Sequence, residues 1–76
     1  MFFVVEFDMW NTKIVYRSPS METAKNWAVR EAERGKTIYT TWSVHFDGPT
    51  CPKMYEIVYD AKRRAADVYK PDSSWA

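Results

Sequence analysis

Between residues 21 and 34 the apolar side chains recur at the helical period, and most of them are alanine. Met21, Ala24, Ala28 and Ala32 form one stripe with Trp27 beside it, while Lys25, Arg30, Glu33 and Arg34 lie away from it. A stripe of small side chains lets a helix sit close to a sheet. The ends are marked as well. Ser20 is an N-cap residue, Glu22 meets the positive helix end, and Gly35 is a natural residue to follow the last turn.

The stretches around this helix read as strands. Residues 2–8 alternate, with Phe3, Val5 and Phe7 on one face and Phe2, Val4 and Glu6 on the other. Residues 13–17 form a second strand with Ile14 and Tyr16 on one side, and Asp8 to Thr12 is short enough for a hairpin with Trp10 near its tip. Residues 37–46 alternate, placing Ile38, Thr40, Trp42, Val44 and Phe46 on one face and Tyr39 and His45 on the other. A loop follows at residues 47–52, and then a strand at 54–59 with Tyr55, Ile57 and Tyr59 aligned.

Residues 60–69 read two ways. The cap at Asp60 and the spacing of Ala61, Ala65 and Val68 favour a helix. An internal echo, Phe7-Asp8 before Val15-Tyr16 against Tyr59-Asp60 before Val68-Tyr69, supports a turn at 61–64 and a strand at 66–70. The helix is the expected form. The predicted fold is α+β: an antiparallel sheet of three to four strands with one main helix packed on one face, in the order ββαββ plus a C-terminal helix or strand. Residues 1–70 make a single domain, and residues 71–76 are expected to be a flexible tail.

Composition narrows the function. The chain has 76 residues, which is room for one domain with a small core, and 17% of them are aromatic. A net charge of +1 gives no global field for nucleic acid or an anionic membrane. Cys51 is the one cysteine, so no internal disulfide forms, and a reducing cytoplasm is the expected location. Glu6 and Asp8 interrupt the apolar start too early for a signal peptide, and no apolar run is long enough to span a bilayer.

Little points to catalysis. His45 is the single histidine, and no serine or cysteine is tied to it by spacing. Cys51 has no neighbouring base, and one His with one Cys does not make a structural zinc site. Two glycines, Gly35 and Gly48, exclude a phosphate-cradling loop. The carboxylates Glu6, Asp8 and Glu56 read as solvated acids. No catalytic residue, metal or cofactor is expected, and the chain reads as a non-enzyme.

Binding is the remaining theme. With Phe3, Val5, Phe7, Ile14, Tyr16, Ile38, Trp42 and Val44 directed at the helix, the opposite face would show Phe2, Val4, Val15 and Tyr39 among Lys13, Arg17 and His45. This face reads as a binding surface, as a surface covered by the C-terminal segment, or as a homodimer contact. The candidate partner-binding residues are Met9, Trp10, Lys13, Arg17, Tyr39 and Phe2. Lys62, Arg63, Arg64 and Lys70 are candidates for phosphate contact. A protein partner is expected first and RNA second, with stacking on aromatics and cations on phosphates.

The run Phe2 to Asp8, then Ile14-Val15-Tyr16, then Ser20 to Ala28, resembles the layout of very small bacteriophage proteins. Among these are an inhibitor of host RNA polymerase and proteins that neutralise host defence systems. The resemblance covers residues 2–46. It implies a hairpin–helix–strand core and stoichiometric binding in the host cytoplasm, and it transfers no functional residue.

Overall fold

The computed structural model describes residues 1–71. Two strands, β1 (Phe2–Phe7) and β2 (Thr12–Ser18), lead to one helix, α1 (Met21–Gly35). Three strands follow: β3 (Thr41–Phe46), β4 (Lys53–Asp60) and β5 (Ala65–Tyr69). All pair antiparallel in one sheet of order β2-β1-β3-β4-β5. The sheet therefore has five strands rather than three or four. The expected helix over 60–69 is instead a turn and a strand, as the internal echo suggested. Pairing with β4 overrides the helix propensity of Ala-Lys-Arg-Arg-Ala-Ala. The predicted tail, 71–76, lies outside the described residues from Asp72 onward.

The helix starts and packs as its sequence dictates. The Ser20 side chain accepts a hydrogen bond from the Thr23 N–H at 3.2 Å, and Ala24, Ala28 and Ala32 are completely buried. Its end differs in one detail. The left-handed residue is Lys36, with φ 52°, and not Gly35; the Lys36 N–H closes the last turn on the Ala32 carbonyl.

The core lies between α1 and one face of the sheet. Val4, Val44 and Ile57 are fully buried, each worth roughly 1.5–3 kcal/mol of transfer free energy. Trp42, Tyr55 and Tyr59 complete it, and the Tyr16 ring stacks on Trp27 at 4.7 Å. The expected orientation of β1 is thus reversed. Val4 faces the helix, with Phe2 half-buried on the same side, while Phe3, Val5 and Phe7 lie on the open face. On the helix side Val4 packs with Ala24, Ala28 and Ala32 in one core cluster.

A bulge explains β2. Val4 pairs with Tyr16, but Val5 pairs with Ile14, so Val15 is the extra residue and packs toward the core. Tyr16 faces the helix as expected, while Ile14 turns to the open face and is about half exposed. Strand β3 begins at Thr41, so Ile38 and Tyr39 sit in the preceding loop, exposed, and not on the sheet.

Both sheet edges are guarded. The bulge and Lys13 and Arg17 interrupt β2, and the Glu33 carboxylate accepts the Ala66 N–H on β5 at 3.1 Å. The C-terminal strand extends the sheet instead of covering its open face.

Candidate functional site

Strand direction sets which loops meet. Phe7, at the end of β1, lies opposite Thr12 and Thr41, and Thr41 lies opposite Val58, near the end of β4. The β1–β2 tip, the α1–β3 loop and the β4–β5 turn therefore project from one end of the sheet. The two hairpin tips are three strand spacings apart, about 14 Å.

Asp8 builds the first tip. Its Oδ1 accepts the N–H groups of Trp10 and Asn11, both at 3.0 Å, and its own N–H donates to the Asn11 carbonyl at 2.9 Å. Met9 and Trp10 are left as the two outward side chains, with Trp10 86% exposed. Asp60 repeats the device in the β4–β5 turn, accepting the N–H groups of Lys62 and Arg63. Arg63 Nε also donates to Asp60 Oδ2 at 3.0 Å, and its guanidinium meets Asp67. The Arg63 guanidinium and the Lys62 N–H hold the Asp60 carboxyl below its ordinary value of 3.8. Arg64 closes the turn in the left-handed region, at φ 56°.

Of the ten large apolar side chains exposed among the described residues, Phe7, Met9, Trp10, Ile38 and Tyr39 belong to this end. It thus unites Met9, Trp10 and Tyr39 with Lys62, Arg63 and Arg64. Of the remaining predicted site residues Lys13 is also near this end, and the others lie elsewhere. Phe2 is on the helix side at the opposite end, against Phe46 at 5.4 Å. Lys13 also points to the helix side, 3.8 Å from Glu6. Arg17 is on the open face, over the Phe3 ring and 3.7 Å from Asp47. Lys70 is at the far end, over Tyr55, beside a cleft of about 260 Å³.

The open face carries a shallow trough of about 510 Å³ lined by Val5, Phe7, Ser43, His45, Lys53 and Glu56. Here the structure ties His45 to a serine that spacing alone did not single out. Ser43 Oγ lies 2.9 Å from His45 Nε2, and Nδ1 lies 3.0 Å from the Cys51 carbonyl. A carbonyl only accepts, so Nδ1 carries the proton and Nε2 accepts from Ser43 in the neutral ring. Residues i and i+2 of a strand share a face, which was the available signal. The Ser43 backbone belongs to the ladder between β1 and β4, so its N–H offers no oxyanion donor, and the pair ties β3 to the 47–52 loop. The His45 ring also stacks on Phe3 at 5.2 Å, which helps bury Phe3 on an otherwise open face.

The acids Glu6 and Glu56 are on opposite faces of the sheet. Among the described residues no group of three or more His, Cys, Asp or Glu side chains could hold a metal ion, and no helix is long and apolar enough to cross a membrane. No family model matches the chain, and no curated protein or solved structure matches it either.

Proposed function

We propose that this chain acts by stoichiometric binding of a protein partner, without catalysis of its own, through the end of the sheet that carries the two hairpin tips and the α1–β3 loop. One observation carries the reading: Met9, Trp10, Ile38 and Tyr39 are all exposed and all at that end. Two of them occupy a hairpin turn where small polar residues would serve the backbone better. A turn held by three hydrogen bonds to Asp8 and presenting a bare indole suits a partner's pocket. The resemblance of residues 2–46 to the layout of small bacteriophage inhibitors supports the same reading, capture of a host protein rather than turnover.

The test is recovery of a partner from a bacterial lysate by the immobilised chain, beside a Trp10→Ala/Tyr39→Ala variant. Loss of the recovered protein in the variant, with an unchanged circular dichroism spectrum, is the expected result. Equal recovery by both removes this site from the reading.

The presence of Lys62 and Arg64 at the same end of the sheet as Trp10 and Tyr39 favours a second reading, binding of single-stranded RNA, with bases on the rings and phosphates on the cations. Such a complex would weaken steeply with salt.

A further inference from the structure

The charges at the loop end separate these partners. Arg30, Arg34, Lys36, Lys62, Arg63 and Arg64 stand against Asp8, Glu31, Glu33, Asp60 and Asp67, with the Lys13–Glu6 pair beside them, an excess of one positive charge. Beyond a Debye length this end is close to neutral, so it gives no field to draw in a polyphosphate. At contact range the two signs differ in what they have left to offer. Asp8 accepts two backbone N–H groups, and Glu33 accepts the Ala66 N–H. Asp60 and Asp67 hold Arg63, and Glu31 holds Arg34 at 2.6 Å. Lys36, Lys62 and Arg64 have no ion-pair partner among the described residues, and all three are exposed. Each of these acids already accepts from a partner within the protein, and these three exposed cations have none.

From this, and resting on the protein-binding reading above, we infer that the partner is a protein with an apolar pocket for Trp10 and carboxylates beside it that meet Lys36, Lys62 and Arg64. The spacing is set by the sheet: the carboxylates that meet the β4–β5 turn lie about 14 Å from the indole pocket. A few discrete carboxylates satisfy three donors without a long-range field, whereas a nucleic acid relies on that field for most of its non-specific affinity. Met9 and Ile38 add aliphatic surface, which suits a protein pocket and gives nothing for a base to stack on.

Site-specific photo-crosslinking of the full chain in a bacterial lysate tests this. The probe is p-benzoylphenylalanine, in place of Met9 in one variant and of Ala61 in another, both exposed turn positions beside the residues of interest. The expected result is one partner protein attached at both positions. The peptide joined to position 9 should be apolar, and the peptide joined to position 61 should be rich in Asp or Glu. Adding Lys62→Glu and Arg64→Glu should lower the position-9 yield at least about tenfold, since like charges then face each other.

A shared partner whose position-61 peptide lacks carboxylates, or a yield indifferent to the charge reversal, overturns this inference and leaves protein binding standing. Attachment to RNA in place of protein overturns both and supports the second reading. No protein attached from Met9 also sinks both.

Discussion

The two hairpins use one backbone device for two kinds of tip. Asp8 and Asp60 each end a strand and each accept the N–H groups of the residues two and three ahead. The first then displays Met9 and Trp10; the second displays Lys62 and Arg64, with Arg63 folded back on acids. Since an aspartate organises the turn in both cases, the tip residues are released from backbone duty. The β4–β5 turn even sets an arginine at a φ of 56°, where glycine or asparagine would be less strained. In both turns the aspartate satisfies the backbone, and the exposed tip residues add nothing to it.

The two hairpins share a single support, and the largest effect should come from removing it. Strand β3 joins them, and Trp42 on β3 is 4% exposed beneath α1. Trp42→Ala is expected to destabilise the fold by about 3–5 kcal/mol in urea unfolding. Amide exchange should show both hairpins losing protection together. A variant that kept one hairpin protected would show that the two unfold as independent units. Trp42→Phe should cost much less. It keeps most of the ring and removes an indole N–H that is buried without a hydrogen-bond partner among the described residues.

Next come the two aspartates. Asp8→Ala removes an acceptor for two backbone N–H groups and should cost about 1 kcal/mol. Asp60→Ala should lower the melting temperature further, because Asp60 also binds Arg63. Acid sharpens the contrast. The folded-state value of Asp60 lies below its ordinary 3.8, so its ionisation favours the folded state above that pH, and this contribution is lost as pH falls through the lower folded value. Asp60→Asn keeps a turn acceptor and removes the charge. Its melting temperature should fall below that of the wild type near neutral pH and converge with it as pH drops under 3.8. A gap that stayed constant into acid would mean that the Arg63 contact adds nothing.

How much of this is legible in the sequence follows from which signals had a rival. The alanine stripe, the Ser20 cap and the Asp8 turn had none, and the helix and first hairpin stand where they were expected. The face of β1 had a rival, because Phe3, Val5, Phe7 and Phe2, Val4 are both apolar sets. The choice between them is made by packing against the helix and the neighbouring strands, which neither set encodes. Ile14 and Tyr16 should share a face by the period of two, and only the bulge at Val15 separates them. The 60–69 segment has helix-forming composition, and its pairing with β4 and the Glu33 contact outweigh that preference. At the candidate site, Met9, Trp10 and Lys62 to Arg64 could be picked out singly as turn residues. Their convergence on one end needed the strand order, which no local pattern encodes.

A smaller effect tests the strain in the second turn. Arg64→Gly should raise stability by about 0.5–1 kcal/mol, since glycine occupies the left-handed region without the Cβ clash, less the entropy it gives to the unfolded chain. If the charge of Arg64 serves a partner, the same change should weaken binding while it stabilises the fold. A stabilised variant with full binding would assign that contact to Lys36 and Lys62 alone.

The smallest expected effect on stability is the most telling about function. Trp10 is 86% exposed and its indole has no hydrogen-bond partner among the described residues, so Trp10→Ala removes almost no burial. Asp8, and not the indole, holds the backbone of that tip. The unfolding midpoint should therefore move by less than about 0.5 kcal/mol. A side chain of this size that contributes nothing to its own fold leaves apolar surface in water for some other reason, and partner capture should be lost in the same variant. A loss of 2 kcal/mol or more, of the order a buried ring would give, would mean that the indole packs back onto the domain in solution. The first tip would then be a structural clasp, and the difference between the two hairpins would be one of packing rather than of recognition.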